Sequence, residues 1–283
     1  GCSYHYCMNR ILVSHECPVS ILENSLEFND YQYCLVHLME ENEQYRDWFT
    51  KRYRSLRPNG EILLDNSIFE LGESFKPEEY AVWADKIKPN FLIVPDVLED
   101  NEATIHSFEE FSYYDVPGKR IGVVQGKTWT QVVECYEYMS DRADYIAISF
   151  DFSMYNVTGF GTNRLERCSS GRQQLVKRLI SEGYWNWDKP HHLLGCSLAR
   201  EFAWYRKNNI HNIRSIDTSN PVTVGIEENY YNSDFGMDKK PKLKLFEQIN
   251  HEVNDDELDA IYYNTKMFDK IVNGVDTKYR HEV

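Results

Sequence analysis

Short β-rich runs recur eight times along the chain, each followed by a turn or an amphipathic helical pattern, and this alternation restricts the fold more than any other property of the sequence. The runs cover residues 11–14, 33–38, 61–65, 91–96, 120–125, 145–150, 192–195 and 213–217. Between them, apolar residues recur at helical spacing over 77–87, 101–111, 128–139, 171–182 and 198–207. Strands joined by helical crossovers form parallel sheets with both faces covered. Eight of them predict a closed TIM (β/α)8 barrel rather than an open doubly wound sheet. The 283 residues suit one such unit, and a 42% hydrophobic content with 20 Tyr and 14 Phe supplies one large core. Past residue 217 the pattern changes. A polar, Tyr- and Asn-rich stretch (227–238), a basic segment (239–244) and helical patterns at 243–249 and 256–272 predict a C-terminal helical extension, starting near residue 222 and packed on the same single domain.

The formal charge of −14 argues against indiscriminate nucleic-acid binding, because phosphate contacts rest on clustered Lys and Arg. A nucleic-acid partner must therefore meet a local basic surface. Seven cysteines lie scattered with no CxxC pair, which predicts free thiols in a reducing compartment. No apolar run is long enough for a membrane span, and the N-terminal stretch lacks a basic region followed by an apolar one. The expectation is a cytoplasmic protein with no membrane partner.

Acids and amides fall at the ends of the strand-like runs. Asp65 ends EILLD, Asp96 ends FLIVPD, Gln125 ends IGVVQ and Asp217 ends IRSID. In a closed α/β barrel the C-terminal strand ends converge on one face, so these four side chains are expected to line one pocket there. A carboxylate directly after apolar strand residues is costly unless paired or engaged by a ligand. Helix capping and turn formation explain an Asp in such a place equally well. A Gln caps poorly, and four such positions together favour a site.

Other chemistries lack their residues. The nine histidines include no HxH pair, and His191 and His192, being adjacent on a strand, point to opposite faces and cannot chelate one ion. One of them is read as core-lining or surface. No P-loop, GxSxG elbow or dinucleotide fingerprint occurs. The TGFGT loop with Gly159 and Gly161 is read as a lid or turn, with phosphate contact as the alternative.

With the acids placed, several blocks resemble, in order, those of the tRNA-guanine transglycosylases, and more closely the shorter DNA-guanine transglycosylases that insert 7-deazaguanines into phage or bacterial DNA. LLDNSIFELG resembles the DSGGFQ block, with Asp65 at its aspartate and Phe69 at the aromatic that stacks on the base. IVPD gives Asp96, VVQG gives Gln125, HHLLG resembles HYLMG and gives Gly195, and RSIDTSNP places Asp217 at the nucleophile. The likeness spans residues 60–221. Ala147, Ile148, Ser149 and Phe150 stand where the family carries paired glycines, Ser149 being the polar residue left to touch the base, and Lys127 replaces a glycine after VQG. The CxCxxC-plus-His zinc site of the tRNA enzymes is absent, so neither a structural metal nor a cofactor is expected.

The resemblance implies a glycosyltransferase that exchanges guanine in DNA, or in tRNA, for a 7-deazaguanine base such as preQ0. Asp217 would form the covalent glycosyl intermediate and Asp65 would act as general acid and base. Asp96 and Gln125 would read the guanine edge, with Phe69 against its face. Tyr230 and Tyr231, with Lys239, Lys240 and Lys242, would contact the strand; a solvated loop leading into a helix is the alternative for that stretch. Two other classes stay open: a deoxyribosyltransferase or hydrolase acting on free nucleosides, which suits the acidic charge, and a non-catalytic binding module built on the same barrel.

Overall fold

A computed structural model describes residues 10–195, 198–232 and 243–274. Its centre is a sheet of eight parallel strands: β1 (Leu12–His15), β2 (Gln32–Leu35), β3 (Ile62–Asp65), β4 (Phe91–Ile93), β5 (Lys119–Val124), β6 (Tyr145–Ile148), β7 (His191–Leu193) and β8 (Ile213–Thr218). The ladder runs β1-β8-β7-β6-β5-β4-β3-β2, which closes all but one seam of a TIM (β/α)8 barrel. The strands are short and nearly all buried, as expected where helices cover the outside and side chains fill the inside.

β1 and β2 share no ladder, and side chains close the seam instead. Val13 N–H donates to Asp30 Oδ2 (2.9 Å), His15 N–H to Asn29 Oδ1 (2.6 Å) and Tyr33 N–H to Ser14 Oγ (3.1 Å). Asp30 N–H returns a bond to the Val13 carbonyl (3.0 Å). Polar side chains thus supply the acceptors that a neighbouring strand would otherwise present to buried N–H groups.

The crossover helices are α1 (Pro77–Ile87), α2 (Asn101–Phe111), α3 (Trp129–Arg142), α4 (Arg164–Ser181), α5 (Ala199–Lys207) and α6 (Asn220–Ile226). Side-chain caps fix several starts: Asp100 accepts from Ala103 N, Thr128 from Gln131 N and Asn163 from Glu166 N. α1 and α2 match the expected ranges. α4 begins seven residues earlier than its apolar pattern suggests, at the Asn163 cap, and it packs against the short helix Tyr155–Thr158 that follows β6. The run at 33–38 is strand only to Leu35; from Val36 the chain turns helical, as Val36–Glu41. Pro95, with no N–H to donate, ends the β4 ladder early.

The C-terminal extension contains a 3-10 turn, Leu245–Gln248, and a long helix, α7 (Asp255–Asn273), opened by an Asn254/Glu257 capping box. Asn273 at its end receives a bond from Ile11 N–H (2.8 Å) and donates to the Ile11 carbonyl (3.1 Å). The extension is therefore fastened to the start of β1. No helix among the described residues is long and apolar enough to cross a membrane. Cys17, Cys34, Cys135 and Cys168 are buried free thiols.

Candidate active site

Because every strand runs in the same direction, the acids and amides at the strand ends emerge at one mouth. Asp65 is the last residue of β3, Asp217 lies near the end of β8, Gln125 follows β5 and Asp96 follows Pro95 beyond β4. All four are buried. The negative charges of Asp217 and Asp96 both act on Asp65, so the strands on opposite sides of the seam face a common space.

Asp96 and Gln125 form one unit. Gln125 Nε2 donates to Asp96 Oδ2 (2.9 Å) and Asn66 Nδ2 to Asp96 Oδ1 (2.8 Å), while Ser74 Oγ accepts from the Asp96 N–H (2.9 Å). Gln125 Oε1 in turn accepts from Glu99 N–H (2.8 Å). Burial raises the Asp96 carboxyl above its ordinary value, and the donors from Gln125, Asn66 and Ser74 oppose that rise.

Two further acids, Glu16 and Glu70, join the mouth. Glu16 directly follows β1, and its N–H donates to the Thr218 carbonyl (2.8 Å), which sets it beside the end of β8. Glu70 lies on the short helix Ile68–Leu71 beyond β3, and its Oε2 is buried without a hydrogen-bond partner. Burial, and then the charges of Asp217, Glu70 and Asp65, push Glu16 well above the usual carboxylate range. Asp65 is likewise raised by burial, then by Glu70, Asp217 and Asp96, although a hydrogen bond from Tyr33 counteracts this. Glu70 rises to about 7, chiefly through burial. Burial and neighbouring negative charge thus raise the proton affinity of this group of acids together.

Asp217 is contacted from β7 and the loop that follows it. His192 Nε2 lies 2.8 Å from Asp217 Oδ1, and Gly195 N–H donates to the same oxygen (3.3 Å). Gly195 has φ +68, a left-handed conformation that favours glycine and turns its N–H toward the strand end. Tyr33 stacks on His192 (5.8 Å between centroids, 16° between planes).

The loops around this mouth carry exposed apolar side chains: Phe69 and Leu71 after β3, Val97 and Leu98 after β4, and Val157 and Phe160 after β6. Phe69 is 73% exposed. Two non-glycine residues here, Ser67 (φ 62) and Glu99 (φ 54), take left-handed backbone conformations. Surrounding bonds hold both: Ser67 Oγ contacts His37 Nδ1 (2.8 Å), and Glu99 Oε1 accepts from Ser153 N–H (2.6 Å). Among the described residues no three His, Cys, Asp or Glu side chains meet closely enough to hold a metal ion. A cavity of about 690 Å3 opens at the opposite end, lined by residues such as Asn90, Lys119 and Arg120, but no comparable group of acids serves it.

The structure thus gathers Asp65, Asp96, Gln125 and Asp217, with Gly195 in contact and Ser149 half-buried after β6. Ser149 Oγ accepts from Asp151 N–H (3.2 Å). Tyr230 is exposed and packs edge-on against Tyr263. Tyr231 corrects the expectation of a paired strand contact: it is only 3% exposed, its hydroxyl bonds Asn220 and its N–H donates to Asn264 (2.8 Å). Alternation along the chain turns one tyrosine outward and the other into the core. Lys239, Lys240 and Lys242 lie outside the described residues.

The sequence pattern did not single out Glu16 or Glu70, and it set His191 and His192 on opposite faces without assigning either to the site. The adjacent histidines held the missing clue, since one of two neighbours on a barrel strand must face the axis. His192 does, whereas His191 faces outward to Tyr136 (2.8 Å). No protein-family pattern matches this chain, and a search among curated proteins finds no match.

Proposed function

We propose that the chain is a base-exchange transglycosylase that replaces guanine in DNA with a 7-deazaguanine such as preQ0, with Asp217 as its covalent nucleophile. The observation that carries this reading is the meeting at one mouth of Asp217, contacted by His192 and the Gly195 N–H, with Asp65, Glu16 and Glu70, whose proton affinity is raised by burial and neighbouring acids. Glycosyl exchange needs two roles: one carboxylate to trap the sugar and one carboxylic acid to supply a proton. The Asp217 oxygen bonds the sugar anomeric carbon as the bond to the guanine nitrogen breaks, and the departing base takes a proton from Asp65. The incoming base returns its ring N–H proton to Asp65 as its nitrogen displaces Asp217.

The motif resemblance gains support from backbone geometry. Ser67, with φ 62, stands at a glycine position of DSGGFQ, where a left-handed residue fits. Glu70 stands at the position of the glutamine in the same block and adds a second proton carrier. Phe69 and the apolar rim offer stacking surface for a base drawn out of a duplex. The acidity of the mouth and the charge of −14 favour a second reading, transfer on free nucleosides, in which no polyanionic backbone must approach.

The test is to incubate the protein with a labelled 7-deazaguanine and duplex DNA, tRNA or free deoxyguanosine, then look for a covalent adduct on a denaturing gel. A DNA adduct mapping to Asp217 and lost in Asp217→Asn is expected. Exchange confined to the free nucleoside would replace the first reading with the second, and exchange into tRNA would change the polymer. Full activity of Asp217→Asn would refute both mechanisms.

A further inference from the structure

Asp217 stands at the end of a hydrogen-bonded line that runs through the barrel interior. His192 Nε2 meets Asp217 Oδ1 (2.8 Å), and the other ring nitrogen, Nδ1, meets Ser215 Oγ (2.7 Å). Ser215 Oγ meets the Tyr145 hydroxyl, and Arg214 Nη1 reaches that hydroxyl at 3.4 Å. Arg214 lies at the opposite mouth, ion-paired to Glu61 at the head of β3 (2.5 Å) and over the ring of Phe91 at the head of β4 (4.9 Å). His192, Ser215 and Tyr145 are all buried.

We propose that His192 is a positioning residue for Asp217, locked into one tautomer by a one-way hydrogen-bond relay from Arg214 through Tyr145 and Ser215. The inference rests on the reading of Asp217 as nucleophile. The direction of the relay is fixed from both ends, because a guanidinium can only donate and a carboxylate can only accept. Arg214 therefore donates to the Tyr145 oxygen, whose own hydrogen goes to Ser215 Oγ. The Ser215 hydrogen goes to His192 Nδ1, and Nε2–H is left to donate to Asp217. Placing a hydrogen on Nδ1 would reverse Ser215 and Tyr145 in turn, and set the Tyr145 hydrogen against the Arg214 N–H. Burial also pushes the Tyr145 hydroxyl up to about 12, so it keeps the hydrogen that the relay requires.

Stacking against Tyr33 and the register of His192 opposite Ser215 hold the ring in plane with its partners. The relay thus lets the opposite end of the barrel orient one carboxylate oxygen at the candidate site. The other Asp217 oxygen is left to face the sugar.

Two measurements on the full chain test this. In long-range histidine 15N spectra at neutral pH, with His192→Gln used for assignment, His192 is expected as the Nε2–H tautomer. Tyr145→Phe, which keeps the ring and removes only the hydroxyl, is expected to shift the Nδ1 resonance. An Nδ1–H or mixed tautomer would overturn the relay whatever the protein's activity. In single-turnover adduct formation, His192→Leu is expected to slow the reaction by about 10- to 150-fold, the value of one hydrogen bond to a charged group, with KM little changed. His192→Gln, whose amide N–H can still reach Asp217, is expected to recover most of that loss. A folded His192→Leu protein reacting at the wild-type rate would refute the positioning role, and if it fails to fold, Ser215→Ala gives the same comparison. If wild-type protein forms no adduct, the transglycosylase reading fails, and the tautomer result alone decides the relay.

Discussion

Removing the guanidinium of Arg172 should cost the protein more than an ordinary core truncation, because this side chain ties two strand ends to a buried carboxylate. Arg172 on α4 is fully buried, and all five of its N–H groups find acceptors. Nε and Nη2 bond the Glu201 carboxylate (both 2.9 Å), Nη1 bonds the carbonyls of Ile148 (3.2 Å) and Leu194 (2.7 Å), and Nη2 bonds that of Gly195 (2.9 Å). In Arg172→Met, Glu201 keeps the Tyr205 hydroxyl (2.6 Å) but loses its counter-charge, at a cost of about 3–5 kcal/mol. The Ile148 carbonyl still accepts from Leu194 N–H (3.0 Å), so the carbonyls of Leu194 and Gly195 are the ones stranded, adding roughly 1–3 kcal/mol. The sum, about 4–8 kcal/mol, approaches the whole stability of many domains. Arg172→Met/Glu201→Leu removes the stranded charge as well, and should recover about 2–4 kcal/mol of that loss. Urea denaturation followed by tryptophan fluorescence measures all three proteins. A single mutant within about 1 kcal/mol of wild type, or a double mutant no more stable than Arg172→Met, would refute the reasoning. Since Gly195 donates to Asp217, surviving Arg172→Met protein should also form adduct more slowly.

Three other perturbations follow from the same geometry. Glu70 has a folded-state pKa of about 7, above its ordinary 4.5, so its contribution to stability is complete below pH 4.5 and is lost as pH rises through 7; in thermal melts E70Q should gain on wild type across that window, by at most about 3 kcal/mol, and equal pH slopes would contradict the assignment. Phe69→Ala removes an exposed ring, so denaturation should shift by no more than about 0.5 kcal/mol, while affinity for the base in an equilibrium binding assay weakens about 5-fold or more if stacking holds it. Ser14→Ala deprives Tyr33 N–H of its acceptor at the seam; a destabilisation of about 1–3 kcal/mol and faster hydrogen exchange at Tyr33 are expected, and unchanged exchange would mean that the seam is closed by other bonds.

The order of strands and helices was legible in the sequence because burial imposes a local rhythm. A strand buried on both faces reads as a short apolar run, and a covering helix as an amphipathic one, so eight runs, the range of α1 and the range of α2 could be read without coordinates. The same logic exposed Asp65, Asp96, Gln125 and Asp217, since polar groups at the ends of apolar runs are conspicuous and parallel strands bring their ends together. Where the rhythm is ambiguous, the reading slipped. The stretch 33–38 carries apolar residues that suit a strand or a helix, and the pairing with β3 runs only to Leu35, opposite Asp65, beyond which the chain turns helical.

Only the tertiary structure decided which residues surround Asp217. Glu16 sits one residue past a strand that ends in His15, and Glu70 lies in a short helical turn between Phe69 and Leu71, so neither stands as the polar end of a strand-like run. Their importance arises from burial and then from nearness at the barrel mouth, which raise their affinity for protons and which no local pattern encodes. The same holds for the line from Arg214 to Asp217, whose members come from β6, β7 and β8. Sequence fixes which side chains face inward through alternation along each strand. Register between strands, set by closure of the whole sheet, determines which of those inward groups meet.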